Sequence, residues 1–153
     1  MAKLGDTVSY QAPEKIGKRA ITRFAQAIGD QNLLYRDEKY ADKTSHGGLI
    51  APPTLIFELG YDVGDEINEE TGIQLGLEKF LGYPKNIQRL SNEYEIVEIV
   101  RPDDVVNAKR TIIEVQEKEG KSGKWLFVTS EIVYTNQKGK LLGINKEKLA
   151  CRY

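Results

Sequence analysis

Cysteine and histidine are nearly absent from this sequence, which has one of each, Cys151 and His46, among 153 residues. One cysteine cannot form an intramolecular disulfide, and a zinc site of the usual nitrogen and sulfur type needs more ligands than these two side chains. Glycine loops that bind phosphate, of the G-x-x-x-x-G-K or G-x-G-x-x-G type, are also missing. We therefore expect neither a metal site nor a cofactor.

The sequence also has no large excess of positive or negative charge and no long run of apolar residues. The 22 basic and 23 acidic residues leave a net charge of -1, which does not suit a nucleic-acid partner. No apolar run is long enough to cross a membrane, and the N-terminus lacks the apolar core of a signal peptide. We expect one cytoplasmic domain over residues 1–153, with no membrane contact.

The first half of the chain has helical periodicity. Residues 14–28 are predicted to form a helix with a glycine C-cap, followed by Asp30 in the exit turn. Its apolar stripe consists of Ile21, Phe24, Ala25 and Ile28. A second, short helix is predicted over residues 37–43, and Asn32 and Asp37 are typical turn and cap residues.

A glycine pair and a proline pair precede the most apolar segment. Gly47–Gly48 permit a close approach of the backbone to a ligand or to a neighbouring strand. Pro52–Pro53 suit the first turn of a helix, so the run TLIFELGYDV from Thr54 predicts a buried helix of about two to three turns. Residues 64–86 contain many glycines and are predicted to be a long connection.

The second half changes to the alternation typical of strands. Four strands joined by short turns are predicted, with the sequences NEYEIVEIV, VVNAKRTIIEVQEK, KWLFVTSEIVYT and LLGINKEKLACRY. They imply an antiparallel sheet, and the preceding helices are expected to cover one of its faces. The predicted class is α+β. Trp125 and Phe127 share one face of a strand and are predicted to lie in the core or in a dimer interface.

Three segments, in this order, resemble the hot-dog fold of the MaoC-like dehydratases, and specifically their N-terminal-type domain, the FAS1-like dehydratase domain. The segments are FAQAIGDQNLLYRDEKYA, GGLIAPPT and EKEGKSGKWLFVTSEIVYTNQKGKLL. The resemblance implies an antiparallel sheet wrapped around a central helix. It also implies a role on acyl-CoA or acyl-carrier-protein thioesters, because active members reversibly hydrate a 2-enoyl thioester to the (R)-3-hydroxyacyl form.

Two positions depart from the pattern that this resemblance implies. Active members use an Asp followed five positions later by a His, and here Asp30 is followed by Tyr35. A tyrosine with a pKa near 10 is only about 0.1% ionised at neutral pH. Active members also use a backbone N–H at the start of the central helix to hold the thioester carbonyl, and Pro52–Pro53 have no N–H there. Thr54 is left as the residue that can offer an N–H or a hydroxyl.

We interpret the chain as a hot-dog subunit of an (R)-specific 3-hydroxyacyl-thioester dehydratase or enoyl-thioester hydratase that lacks the catalytic His. Asp30 and Tyr35 mark the degenerate catalytic pair. The expected substrate contacts are Gly47, Gly48, Thr54 and Phe57. Because hot-dog domains commonly work in pairs, a MaoC-like partner would supply the Asp and the His, while this chain shapes the acyl-binding site.

Two other hypotheses are carried alongside this one. The first is a stand-alone hydratase or dehydratase that uses Asp30 with a water, Tyr35 or His46. The second is a homo-oligomeric acyl-CoA-binding protein that performs no chemistry. A loop histidine such as His46 is more often exposed than catalytic.

Overall fold

The computed structural model describes residues 1–12, 14–59, 66–70, 72–120 and 123–153. Within them, five antiparallel strands form one sheet in the order β1-β3-β4-β5-β2. The strands are β1 Thr7–Gln11, β2 Asn86–Ile96, β3 Asn107–Gly120, β4 Gly123–Thr135 and β5 Leu141–Arg152. The two edges of the sheet are therefore the short β1 and the longer β2.

The helices of the described residues are short. They are α1 Lys18–Ala27, α2 Glu38–Ala41, α3 Leu55–Glu58 and α4 Leu75–Leu81, with a 3-10 turn at Leu33–Tyr35. In α1, Ile21 and Ala25 are buried, as the helical stripe predicts. Ile28 departs from that prediction and is 51% exposed, because the helix ends at Ala27 and Ile28 is its C-cap.

Alternation along β4 defines the inner face of the sheet, which the helices cover. Every second residue of β4 from Leu126 to Tyr134 is buried, and the residues between them are half-buried. At one end of this face, α1 and α3 pack on Ile132, Tyr134 and Leu142 in a first apolar cluster. At the other end, α4 packs on Val128 and Leu149 in a second cluster. This α+β architecture confirms the predicted fold class.

A band of polar side chains separates the two clusters. Arg110, Ser130, Asn145 and Glu147 are 3%, 0%, 2% and 0% exposed. Glu147 forms ion pairs with Arg110, at an N–O distance of 2.5 Å, and with Arg89, at 2.8 Å. Within the described parts of the chain, Ser130 Oγ and Asn145 Oδ1 have no hydrogen-bond partner. We call Arg89, Arg110, Ser130, Asn145 and Glu147 the polar band.

The predicted helices differ from the structure around residues 54–86. The central helix α3 spans only Leu55–Glu58, and residues 60–63, the last part of the predicted longer helix, lie outside the described residues. The prediction of a plain connection over 64–86 is wrong, because this stretch contains α4. Its apolar residues Leu77, Phe80 and Leu81 pack in the second cluster. This burial stabilises the helix, although the many glycines nearby in the sequence disfavour helix formation.

The predicted strands need two corrections. The described sheet has five strands, not four, because Thr7–Gln11 pairs with β3. Trp125 and Phe127 are half-buried and not in the core, since their side chains lie on the face opposite the helices; the alternative of a dimer interface stays a prediction. There Lys118 Nζ lies 5.0 Å from the Phe127 ring centroid, and Arg152 Cζ lies 5.9 Å from that of Trp125.

Candidate functional site

The turn after α1 uses its polar side chains to bond its own backbone. Asp30 Oδ1 accepts from the Asn32 N–H at 2.9 Å, and Asn32 Oδ1 accepts from the Leu34 N–H at 3.1 Å. Asp37 caps α2 by accepting from the Tyr40 N–H at 3.0 Å. Asn32 and Asp37 thus have the turn and cap roles that the sequence predicts. The Asp30 carboxylate is likewise engaged with the local backbone.

Tyr35 occupies the end of the 3-10 turn and is 7% exposed. Its carbonyl accepts a hydrogen bond from Thr22 Oγ1 of α1 at 3.2 Å, which fixes the turn against that helix. Burial raises the pKa of the Tyr35 hydroxyl, and the negative charge of Asp30 raises it further, while a hydrogen bond with the Asn32 side chain lowers it. The net direction is upward, so the phenol keeps its proton at neutral pH.

Gly47–Gly48 form a turn with positive φ angles of 61° and 146°. A Cβ added to Gly47 would meet nothing within 4 Å, and one added to Gly48 would meet only Asp42 Oδ1 at 3.8 Å. Backbone conformation, not the approach of a neighbouring strand, therefore requires glycine here. A contact between this pair and a ligand stays a prediction.

The glycine pair borders a charged cavity of about 240 Å³ between α1, α2 and the Arg101 loop. Lys18 Nζ and Glu38 Oε2 are 2.6 Å apart across it. Arg101 Nη1 donates to the His46 carbonyl at 2.8 Å. The His46 loop is thereby attached to the segment that follows β2, and His46 is half-buried.

The proline pair leads directly into α3. The Ala51 N–H donates to the Val100 carbonyl at 2.8 Å, and the Leu55 N–H donates to the Pro52 carbonyl at 3.0 Å. Thr54 is the N-cap residue, but its side chain makes no capping bond. Because neither proline has an N–H, this helix start lacks the backbone donors that an ordinary pair of residues would offer.

Phe57 lies in an aromatic group that reaches from the core to the sheet edge. Its ring stacks on Tyr94 of β2, with centroids 4.1 Å apart, and meets Tyr134 of β4 edge-on at 5.3 Å. Phe57 is 4% exposed, whereas Tyr94 is 48% exposed. Sequence reasoning identifies Phe57 but not Tyr94, because the alternation of NEYEIV shows a strand without showing which helix it meets.

The predicted site residues fall into two groups in space. Tyr35 and Phe57 belong to the same apolar cluster, which also contains Leu55. Gly48 is instead attached to α2, because its N–H donates to the Ala41 carbonyl at 3.3 Å. The site thus has a buried aromatic part and a polar loop part.

Solved structures similar to this chain show its fold. One is the R-hydratase PhaJ1 of Pseudomonas aeruginosa. The match covers 98% of this chain and 82% of the PhaJ1 chain, with a TM-score of 0.71 and 18% sequence identity. Another is a chain of the ChsH1-ChsH2 complex of Mycobacterium tuberculosis. The match covers 95% of this chain and 83% of that chain, with a TM-score of 0.74 and 20% sequence identity. These likenesses establish the hot-dog fold that hydratases and dehydratases share.

The sequence of the chain also identifies its protein family. The family described as "FAS1-like, dehydratase domain region" matches residues 3–143, and the chain belongs to it. A UPF0336 protein of Streptomyces griseus is 30% identical over 76% of this chain and 73% of its own length. One from Streptomyces coelicolor is 35% identical over 75 residues, and this match spans about half of that relative, 49%.

A further relative has a function in its name. The probable enoyl-CoA hydratase alpha subunit of Thermomonospora curvata is 24% identical over 84% of this chain and 42% of its own length. Within the described residues, no helix is long and apolar enough to span a membrane. No group of three His, Cys, Asp or Glu side chains among those residues could hold a metal ion.

Proposed function

We propose that this chain is a non-catalytic hot-dog subunit of an acyl-thioester dehydratase or hydratase, and that a MaoC-like partner chain supplies the catalytic Asp and His. The observation that carries the proposal is Tyr35 at the position of the base. Dehydration of a 3-hydroxyacyl thioester requires a base for the weakly acidic α-proton. A buried phenol whose pKa is raised above its usual value near 10 is protonated at neutral pH and cannot take that proton.

The start of α3 supports the same conclusion independently. The reaction develops negative charge on the thioester oxygen, and enzymes stabilise it with backbone N–H donors. Pro52–Pro53 offer none at the position where the family holds that oxygen. A chain without the base and without this donor is expected to bind a substrate without turning it over.

The β2 edge is the surface to which we assign the partner. It is 11 residues long, against five for β1 at the opposite edge, and it exposes a row of apolar side chains. Leu90, Tyr94 and Ile96 are 48%, 48% and 47% exposed. A long edge strand with unpaired backbone groups and exposed apolar side chains readily pairs with another chain. Hetero-complexes among the structural neighbours, such as ChsH1-ChsH2, support an arrangement with two different chains.

Pairing at β2 would bring the Phe57–Tyr94 stack next to the partner. Tyr94 lies on the edge strand and contacts Phe57 directly, so the aromatic group would form one wall of a site between the two chains. In this arrangement the chain contributes to the shape of the acyl site. Gly47–Gly48 and Thr54 are the positions at which we expect the thioester arm.

The experiment is purification of the tagged chain from its native cells, followed by native mass spectrometry. We expect a stoichiometric second hot-dog chain with an intact Asp and His, and hydration of crotonyl-CoA by the complex. Asp30→Asn and Tyr35→Phe should leave that rate within about twofold. Ile96→Lys on β2 should abolish the complex, whereas Ile113→Lys, at an exposed apolar position of β3, should not.

Three results would contradict the proposal. A homo-oligomer that hydrates crotonyl-CoA and loses activity in Asp30→Asn would be a stand-alone enzyme. A homo-oligomer that binds acyl-CoA without turnover would be a binding protein. A complex whose activity falls tenfold or more in Tyr35→Phe would place the chemistry on this chain.

A further inference from the structure

The edge strand β2 carries two carboxylates on its outer face, which is the face of the sheet opposite the helices. Glu93 and Glu95 are exposed there, and they alternate with Tyr94 and Ile96 of the inner face. The cross-strand neighbour of Glu93 on β5 is Lys146. None of the ion pairs formed by the described residues includes Glu93 or Glu95. The edge thus presents an apolar row on one face and an acidic row on the other.

The part of β2 that can extend the sheet regularly is short. A β-bulge between Arg89 and Ser91 shifts the register of the strand, and bulges interrupt regular pairing. Residues 91–96 lie beyond it. In two paired antiparallel strands, side chains directly opposite each other share a face, with Cβ atoms about 4.5–5.5 Å apart. Outer-face side chains of a strand added here would therefore lie against Glu93 and Glu95.

A second copy of this chain fits this edge poorly. Two antiparallel copies related by a twofold axis overlap over most of residues 91–96 when the axis passes through Tyr94 or through Glu93. The first arrangement places Glu93 opposite Glu95 twice, and the second places Glu93 opposite its own copy. Like charges directly opposite each other destabilise a strand pair. The acidic row therefore disfavours a homodimer at β2 and favours a strand that carries positive charge.

We propose that β2 pairs with an edge strand of the partner chain that carries Lys or Arg on its outer face, opposite Glu93 and Glu95. The same two carboxylates prevent β2 from pairing with a second copy of this chain. This inference rests on the proposed function for the position of the interface and adds the chemistry of its occupant. The apolar row of Tyr94 and Ile96 provides burial to any strand, whereas the acidic row selects among strands, because charge complementarity contributes mainly specificity.

The test uses two versions of this chain, so it does not depend on recovering the natural partner. The double variant Glu93→Lys/Glu95→Lys has a basic outer row on β2 and is the probe for a basic edge strand. Fluorescence-detected sedimentation of labelled wild-type chain with unlabelled variant measures the Kd of the mixed pair. We expect this Kd to be at least tenfold lower than that of wild type with itself or of the variant with itself. High salt should remove most of the preference, because it screens exposed charges.

Two further variants serve as controls. Glu14→Lys/Glu119→Lys changes the net charge by the same amount at exposed positions. Glu14 precedes α1, and Glu119 is on β3, which β4 and β5 separate from β2, so this variant should bind wild type no more tightly than wild type binds itself. Glu93→Gln/Glu95→Gln guards against a fold defect in the lysine variant. It removes the repulsion without adding positive charge, and it should self-associate at least tenfold more tightly than wild type.

Three results would overturn the proposal. They are wild-type self-pairing as tight as the mixed pair, a mixed pair no tighter than the one with the control variant, and a glutamine variant that self-associates no more than wild type. The purification from native cells tests a different point, because the absence of a catalytic partner there would contradict the proposed function and leave these affinities unchanged. If a partner is recovered, Glu93→Gln/Glu95→Gln should weaken its complex at least tenfold, and an unchanged complex would overturn the assignment of a basic strand.

Discussion

Arg110 and Glu147 form an ion pair that crosses β4, joining β3 to β5 on the inner face of the sheet. Arg110 Nη1 and Glu147 Oε2 are 2.5 Å apart, and the two side chains are 4% and 0% exposed. Ser130 is opposite Glu147 in the β4–β5 register and is also fully buried. Two charges taken out of water are stable only together, because each compensates the desolvation of the other.

Breaking this pair should therefore be costly. Glu147→Ala leaves Arg110 buried without its carboxylate, and we expect the free energy of unfolding to fall by about 3–5 kcal/mol. Urea unfolding followed by circular dichroism measures the loss. As a control, the double variant Arg110→Met/Glu147→Leu removes both charges and should be far closer to wild type, since apolar replacement of a whole buried pair is often neutral. A loss below about 1 kcal/mol in Glu147→Ala would contradict the assignment.

Restoring the imidazole alone should not restore catalysis. Tyr35→His places a histidine five positions after Asp30, but the oxyanion donor is still missing at Pro52–Pro53, and removing one such donor costs about 10²–10³ in rate. We expect crotonyl-CoA hydration by the isolated Tyr35→His variant to equal that of Tyr35→Phe.

The double variant Tyr35→His/Pro53→Gly has both a base and a backbone N–H at the position of the proline pair. Its rate should exceed that of either single variant. A rise of more than tenfold in Tyr35→His alone would show that the proline pair does not limit the chemistry.

Local patterns predicted the parts of this fold that local interactions determine. The alternation of β4, the Asp37 cap of α2 and the Asn32 turn each depend on residues within a few positions, and the structure has all three. The short strand β1 was not predicted. Its stability comes from pairing with β3 about a hundred positions away, Thr7 with Thr111, and no local pattern carries that information.

In the candidate site and the buried ion pair, too, the sequence predicted local features but not contacts between distant residues. Asp30 and Tyr35 could be placed because their spacing along the chain matches a family pattern. The stack of Phe57 on Tyr94 and the pairing of Arg110 with Glu147 join residues 37 positions apart in each case. The charged residues also occupy inner-face positions of strands, where alternation predicts apolar side chains. Tertiary packing decides such contacts, so a sequence pattern cannot show them.

Gly143 on β5 should not tolerate a side chain. A Cβ there would lie 2.8 Å from the Glu95 carbonyl oxygen and 3.7 Å from Ile56 Cδ1, so β2 or α3 would have to move. We expect Gly143→Ala to lower the free energy of unfolding by about 1–3 kcal/mol, as overpacking does. Gly120→Ala is the matched strand control, because its Cβ would find ordinary contacts of 3.8 Å or more. If the two variants were equally stable in urea, the close approach of Gly143 to the Glu95 carbonyl would be refuted.

Cys151 should make stability fall with rising pH above 9. The thiol is fully buried, and burial raises its pKa from the ordinary 9.0 to about 11. Between these values the unfolded chain releases the proton while the folded chain keeps it. The unfolded state then binds fewer protons, so stability declines as pH rises through this window and is unaffected by this group below it.

The expected decline is about 1.4 kcal/mol per pH unit between the two pKa values. Other groups also titrate there, so Cys151→Ala, which has no thiol, provides the reference. Urea unfolding of both proteins at pH 8, 9 and 10 should give a difference in stability that is constant up to about pH 9 and then shifts against the wild type. A difference that stays constant through pH 10 would mean that the folded protein releases the Cys151 proton as easily as the unfolded chain does.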